Sequence, residues 1–207
     1  VYLLAQAFAW KLSGAHLNPI VTLVHALRKD TNFNWKNALV YIPFQYLGHL
    51  AGACVYWWLW KVAYRLEVRK MMIGTSMERL YSEATAAEFW LSFFYVIVVL
   101  CLTNPKTALS AEQGVNMLLI SFSFGALFFL DIWGPGGSLN PAYAFGVNVA
   151  DLMDTGKKEA IQFIWIYTLW PFLAAPLGWA VYNWGILKAH EESVDVDNVE
   201  NMQKAAV

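Results

Sequence analysis

Apolar residues fall into four long stretches along this chain, 41–60, 86–103, 115–133 and 161–187, parted by shorter polar segments. Each approaches the roughly 20 residues that carry a helix across a bilayer, so each predicts a membrane span. Pro171 and Pro176 interrupt the last of them. The chain also opens on an apolar run, 1–12, which is too short to span and has no charged segment before it. It therefore reads as the tail of a helix that starts outside the chain, not as a signal peptide. Segment 61–82 carries more charge than an ordinary connection and predicts a surface helix. The acidic, polar stretch after Lys188 predicts an extended tail, or one docked on a partner.

Two short segments break this pattern in the same way. Ser13-Gly14-Ala15-His16-Leu17-Asn18-Pro19-Ile20 and Gly136-Gly137-Ser138-Leu139-Asn140-Pro141-Ala142 each follow an apolar stretch and lead into a brief apolar run. Asn is a preferred helix N-cap, and Pro at the first helical position has the required φ and no N–H to leave unpaired. Both segments therefore predict capped half-helices, over 18–28 and 140–150. A duplicated half-helix N-terminus among membrane spans points to a pore or binding site built from an inverted repeat.

Composition agrees with burial in lipid. The chain is 58% hydrophobic and 16% aromatic, with 14% charged residues and a mean hydropathy of +0.42, whereas soluble domains carry about 25% charged residues. Trp57, Trp58, Trp60, Trp133 and Trp184 lie near span ends, where an aromatic belt belongs. A net charge of −1 gives no argument for nucleic acid. Cys54 and Cys101 sit inside apolar stretches and suggest no disulfide framework. No metal-binding cluster, nucleophile–base pair or phosphate-binding glycine loop emerges, so neither an enzyme nor a cofactor is expected.

The two Asn residues lie 122 positions apart. That offset carries span 41–60 onto 163–182, and span 115–133 back onto the apolar run at the start. Span 86–103 maps to positions before the first residue. The expected whole is two halves of three spans and one half-helix each, with the first span and part of the second absent from this chain. Residues 1–82 would be the remainder of the first repeat, 83–187 the second repeat, and 188–207 the acidic tail. An odd number of spans per half inverts one half against the other, so the half-helices should meet near the midplane.

These residues resemble the aquaporin, or major intrinsic protein, family. The two Asn-Pro loops are similar to its paired loops, Tyr41-Ile42 with Gln45, Gly48 and Gly52 to its third span, and Glu88-Phe89 to its fourth. The resemblance implies an all-α membrane channel for water and small neutral solutes, assembled as a homotetramer in the lipid bilayer. In it Asn18, Pro19, Ile20, Asn140, Pro141 and Ala142 would form the pore centre. Each Asn oxygen would cap its helix and leave the amide NH₂ to face the pore. The opposed N-termini, each worth about half an elementary charge, would exclude protons and cations. Glu88 is read as the carboxylate well inside a span, accepting bonds from loop backbone, with Gln45 and His16 as further loop supports. Gly48 and Gly52 would allow close helix contact.

Three positions depart from the family pattern. Ile20 stands where Ala is usual, and should narrow the centre or spread the half-helices. Tyr143 replaces the Arg that follows the second motif, and Phe128 occupies the filter position that is His in water-selective members. With Gly137, these make a less polar selectivity filter. Such changes resemble the unorthodox branch, the small basic intrinsic proteins of plants and the animal superaquaporins, which implies an intracellular organelle membrane. With both termini cytoplasmic, Lys and Arg divide seven against seven, without a positive-inside bias. A second reading is a non-conducting member of the fold serving as a structural subunit of a larger membrane complex.

Overall fold

The computed structural model describes residues 2–60, 77–133 and 137–195. Among these residues the secondary structure is helical throughout: α1 (Tyr2–Ser13), α2 (Pro19–Leu27), α3 (Trp35–Trp60), α4 (Met77–Thr103), α5 (Gln113–Trp133), α6 (Pro141–Thr155) and α7 (Ile164–Val181). A 3₁₀ turn, Lys158–Ile161, precedes α7, and a π-turn, Tyr182–Ile186, follows it. The all-α membrane class expected from the apolar stretches is borne out: α3, α4, α5 and the α7 region are long and apolar enough to cross a bilayer. Pro43, Pro171 and Pro176 are accommodated inside helices, as transmembrane helices tolerate where neighbours re-satisfy the freed carbonyls. The surface helix expected at 61–82 falls mostly on residues 61–76, outside the described residues.

The outside of the bundle is apolar and the polar groups are inside. Phe44 and Leu47 of α3 and Phe122 and Phe129 of α5 face outward, while Asn18, Glu88, Asp131 and Asn140 are buried. Lipid tails as solvent invert the usual pattern in this way, since every buried polar group must then find its partner within the protein. A central cluster joins α2 to the spans through Ile20, Val21, Val24, Tyr95, Val96, Val99 and Leu100, all at most 4% exposed.

Two close helix approaches place the half-helices. α4 packs along α7, where a Cβ on Gly178 would come within 3.0 Å of Val96 Cγ1 and 3.2 Å of the Phe93 carbonyl oxygen. α3 packs along α6, where a Cβ on Gly146 would lie 2.6 Å from the His49 carbonyl carbon. The end of α2 is tied down by Arg28, whose Nε and Nη2 donate to Asp30 at 2.9 and 2.5 Å and whose Nη1 donates to Thr103 Oγ1 at 2.7 Å. The acidic stretch after Lys188 is helical as far as residue 195, where an extended tail was expected. Lys188 pairs with Glu192 one turn on, and Lys106 Nζ meets Glu191 Oε1 at 2.5 Å, contacts that favour the helix over an open strand.

Candidate functional site

Each half-helix begins as the sequence predicts. Asn18 takes an extended backbone (φ −150°, ψ 126°) and its Oδ1 accepts from the Ile20 N–H at 3.1 Å. Asn140 does the same (φ −145°, ψ 102°), accepting from Ala142 and Tyr143 at 3.1 and 3.3 Å. Pro19 and Pro141 open the two helices. These bonds satisfy N–H groups that a helix start otherwise leaves unpaired.

The amide NH₂ groups are not left free, as the sequence reading had them. Asn18 Nδ2 donates to the carbonyl of Leu139 at 2.8 Å, and Asn140 Nδ2 donates to the carbonyl of Leu17 at 3.0 Å. Each half-helix start therefore holds the other loop through a reciprocal pair of bonds. Since an amide NH₂ carries two hydrogens, one remains on each Asn. Leu17 and Leu139 both have φ 51°, the left-handed region that costs a non-glycine residue about 1–2 kcal/mol. This twist turns their carbonyls toward the opposite loop, so the reciprocal bonds offset local strain.

Two sets of side chains support the loops. Around the first, Thr22 Oγ1 donates to the Asn18 carbonyl at 3.2 Å, Gln45 Nε2 donates to that same Oγ1 at 2.8 Å, and His16 Nδ1 lies 3.2 Å from it. His16 also packs at a tilt against His25, with ring centroids 4.3 Å apart. Around the second loop, Glu88, fully buried, accepts from the Ser138 N–H at 2.5 Å and the Leu139 N–H at 3.2 Å. Thr22 is a residue the sequence reading missed. Its position one helical turn beyond Asn18, with the hydroxyl aimed back at the cap carbonyl, was the available signal. Asp131 was also missed: Glu88 is not alone, because Asp131 of α5 is likewise 0% exposed.

Of the positions that depart from the family pattern, Phe128 and Tyr143 meet ring to ring, while Ile20 packs in the central cluster. Ile20 is 0% exposed and packs in the central cluster with Tyr95 and Leu100, and the half-helices remain in hydrogen-bonding contact beside it. Ala142 is 0% exposed as well. Tyr143 is half-buried and edge-on to Phe128 at 6.3 Å and to His49 at 6.4 Å, centroid to centroid. Gly137 is buried against Asp131, and a Cβ there would run into the Asp131 carboxyl. An open, mostly apolar cavity of about 1070 Å³ is bordered by Leu17, His16, Tyr41, Gln45, His49 and Tyr143, so the first loop, α3 and the start of α6 border one space.

Two capped half-helices meeting N-terminus to N-terminus inside a lipid-facing helical bundle define a class: membrane proteins with paired re-entrant half-helices. The description "Major intrinsic protein" belongs to the family model that matches residues 1–182, and the chain belongs to that family. Among curated relatives, the lens fiber major intrinsic protein of Lithobates pipiens is 28% identical over 174 residues, covering 83% of this chain and 60% of the relative. Aquaporin-6 of Mus musculus is 28% identical over 179 residues, covering 86% and 56%. The probable glycerol uptake facilitator protein of Thermotoga maritima is 29% identical over 183 residues, covering 84% and 75%. The chain thus spans less than two thirds of the length of the first two relatives.

Proposed function

We propose that the protein is a transmembrane channel for passive permeation of water and small neutral solutes. The observation that supports this best is the reciprocal bridge between Asn18 and Leu139 and between Asn140 and Leu17. It aims two helix N-termini at one point, with one amide hydrogen left on each Asn. A water passing there turns its oxygen toward these donors, which interrupts a proton-conducting chain of waters, and the two positive dipole ends repel cations. Phe128, Gly137 and Tyr143 are the proposed filter, with Tyr143 supplying a hydroxyl where the family has an Arg charge. Relatives named as aquaporins and as a glycerol uptake facilitator agree with this solute class.

In this reading the chain is the remainder of a first repeat, 1–82, and its inverted mate, 83–187, followed by the tail 188–207. The assembly is a homotetramer in an intracellular organelle membrane. The experiment is osmotic: proteoliposomes holding the full-length protein should shrink faster than empty vesicles after an osmotic step, with a low activation energy. Shrinkage at the rate of lipid alone would sink the proposal.

A second reading, a non-conducting structural subunit of a larger membrane complex, has its own observation. Asn18 and Ile20 are both 0% exposed, so neither side chain is open to water. Vesicles that stay tight to both water and glycerol, made from protein that purifies with a fixed set of other membrane subunits, would favour this reading.

A further inference from the structure

Beneath the second loop lie two acids, and one of them has no protein donor among the described residues. Glu88 of α4 spends its oxygens on the Ser138 and Leu139 N–H groups. Asp131 of α5 is fully buried, is within hydrogen-bonding reach of Glu88, and among the described residues has neither oxygen bonded to a protein donor. Its carboxyl fills the space that a side chain at position 137 would take, so a Cβ there would displace it. Tyr167 of α7 lies within electrostatic range of both acids, and among the described residues its buried hydroxyl also lacks a hydrogen-bond partner. Two buried carboxylates in contact repel strongly, whereas one proton between them turns repulsion into a short, charge-assisted bond.

We propose that Asp131 is a positioning residue that shares one proton with Glu88, and that this acid pair fixes the loop Gly137–Asn140 from which the second half-helix starts. Glu88 then presents a set of lone pairs to Ser138 and Leu139 while its charge is spread over both acids. Asp131 in turn seats Gly137 by filling its side-chain space. The inference concerns the loop and does not depend on whether the pore conducts.

Two measurements on the purified full-length protein in lipid vesicles test it, and neither requires permeation. Infrared difference spectra should contain a protonated-carboxyl band that disappears in Asp131→Asn and in Glu88→Gln. Hydrogen exchange at Ser138 and Leu139 should stay slow in Asp131→Asn, whose amide can donate to Glu88. In Asp131→Val, which cannot, exchange should rise about tenfold or more, the scale of one lost hydrogen bond to a charged group. If the valine variant does not fold, the band in the Asp131→Asn variant decides alone. A band that persists in Asp131→Asn, or equal exchange in the two Asp131 variants, would overturn the proposal.

Discussion

Asn18 and Asn140 each perform two tasks with one side chain. The oxygen caps its own helix, and the NH₂ holds the opposite loop. Serine separates the tasks, because its hydroxyl can cap but is too short to reach across. Asn140→Ser should cost about 1 kcal/mol, the net worth of a single hydrogen bond, and Asn140→Ala about 1 kcal/mol more for the lost cap. Unfolding of the purified protein in mixed micelles measures both. Because the two cross-loop bonds hold the same pair of loops, Asn18→Ser combined with Asn140→Ser should cost less than the two single losses added. Ile20 belongs to this scale as well. Its side chain packs in the core, so Ile20→Ala should lower stability by about 2–5 kcal/mol, as other buried truncations do. Water permeability should rise little, and a large rise without loss of stability would place Ile20 in the bore.

At the scale of helices, the half-helix α6 is set by how closely it can approach α3. Gly146 meets the backbone of His49 and Leu50, with a notional Cβ 2.6 to 2.9 Å from their atoms. Backbone cannot swing aside as a flexible side chain can. Gly146→Ala should therefore destabilise by about 1–3 kcal/mol, the usual cost of overpacking. The Tyr143–His49 ring contact should loosen with it, visible as faster exchange in α6. An unchanged unfolding midpoint would show that α3 and α6 can slide apart freely. The helix beyond the π-turn Tyr182–Ile186 belongs to this scale too. Its acids suggested a tail, yet partners at Lys188 and Lys106 keep it helical through residue 195.

At the scale of the whole molecule, the Arg28 clamp joins the half-helix α2 to the end of α4. Its hydrogen bonds to Asp30 hold the Asp30 carboxyl below the ordinary carboxylate range, against a smaller opposing effect of burial. A depressed folded value contributes stability above the unfolded value, about 3.9, and that contribution is lost as pH falls through the lower folded value. With Asp30 44% exposed, solvent screening keeps the gain below about 1 kcal/mol. Asp30→Asn should remove this acid limb from the stability profile below about pH 4, while an identical profile in the variant would refute the clamp.

The sequence by itself determined the all-α membrane class, the four apolar helices and the two capped helix starts. Those follow from chain-local rules: span length, Asn as N-cap and Pro at the first turn. It also exposed Glu88, because an acid within an apolar stretch must have a partner. Only the tertiary structure decided what the two Asn amides hold, since their partners are the backbone carbonyls of Leu17 and Leu139, and a carbonyl has no letter in the sequence. It alone brought Thr22, Gln45 and His16 to one hydroxyl and set Asp131 against both Glu88 and Gly137. It also packed Ile20 in the core cluster with Tyr95 and Leu100. Each of these is a meeting of elements far apart along the chain, fixed by helix packing, to which local pattern is blind.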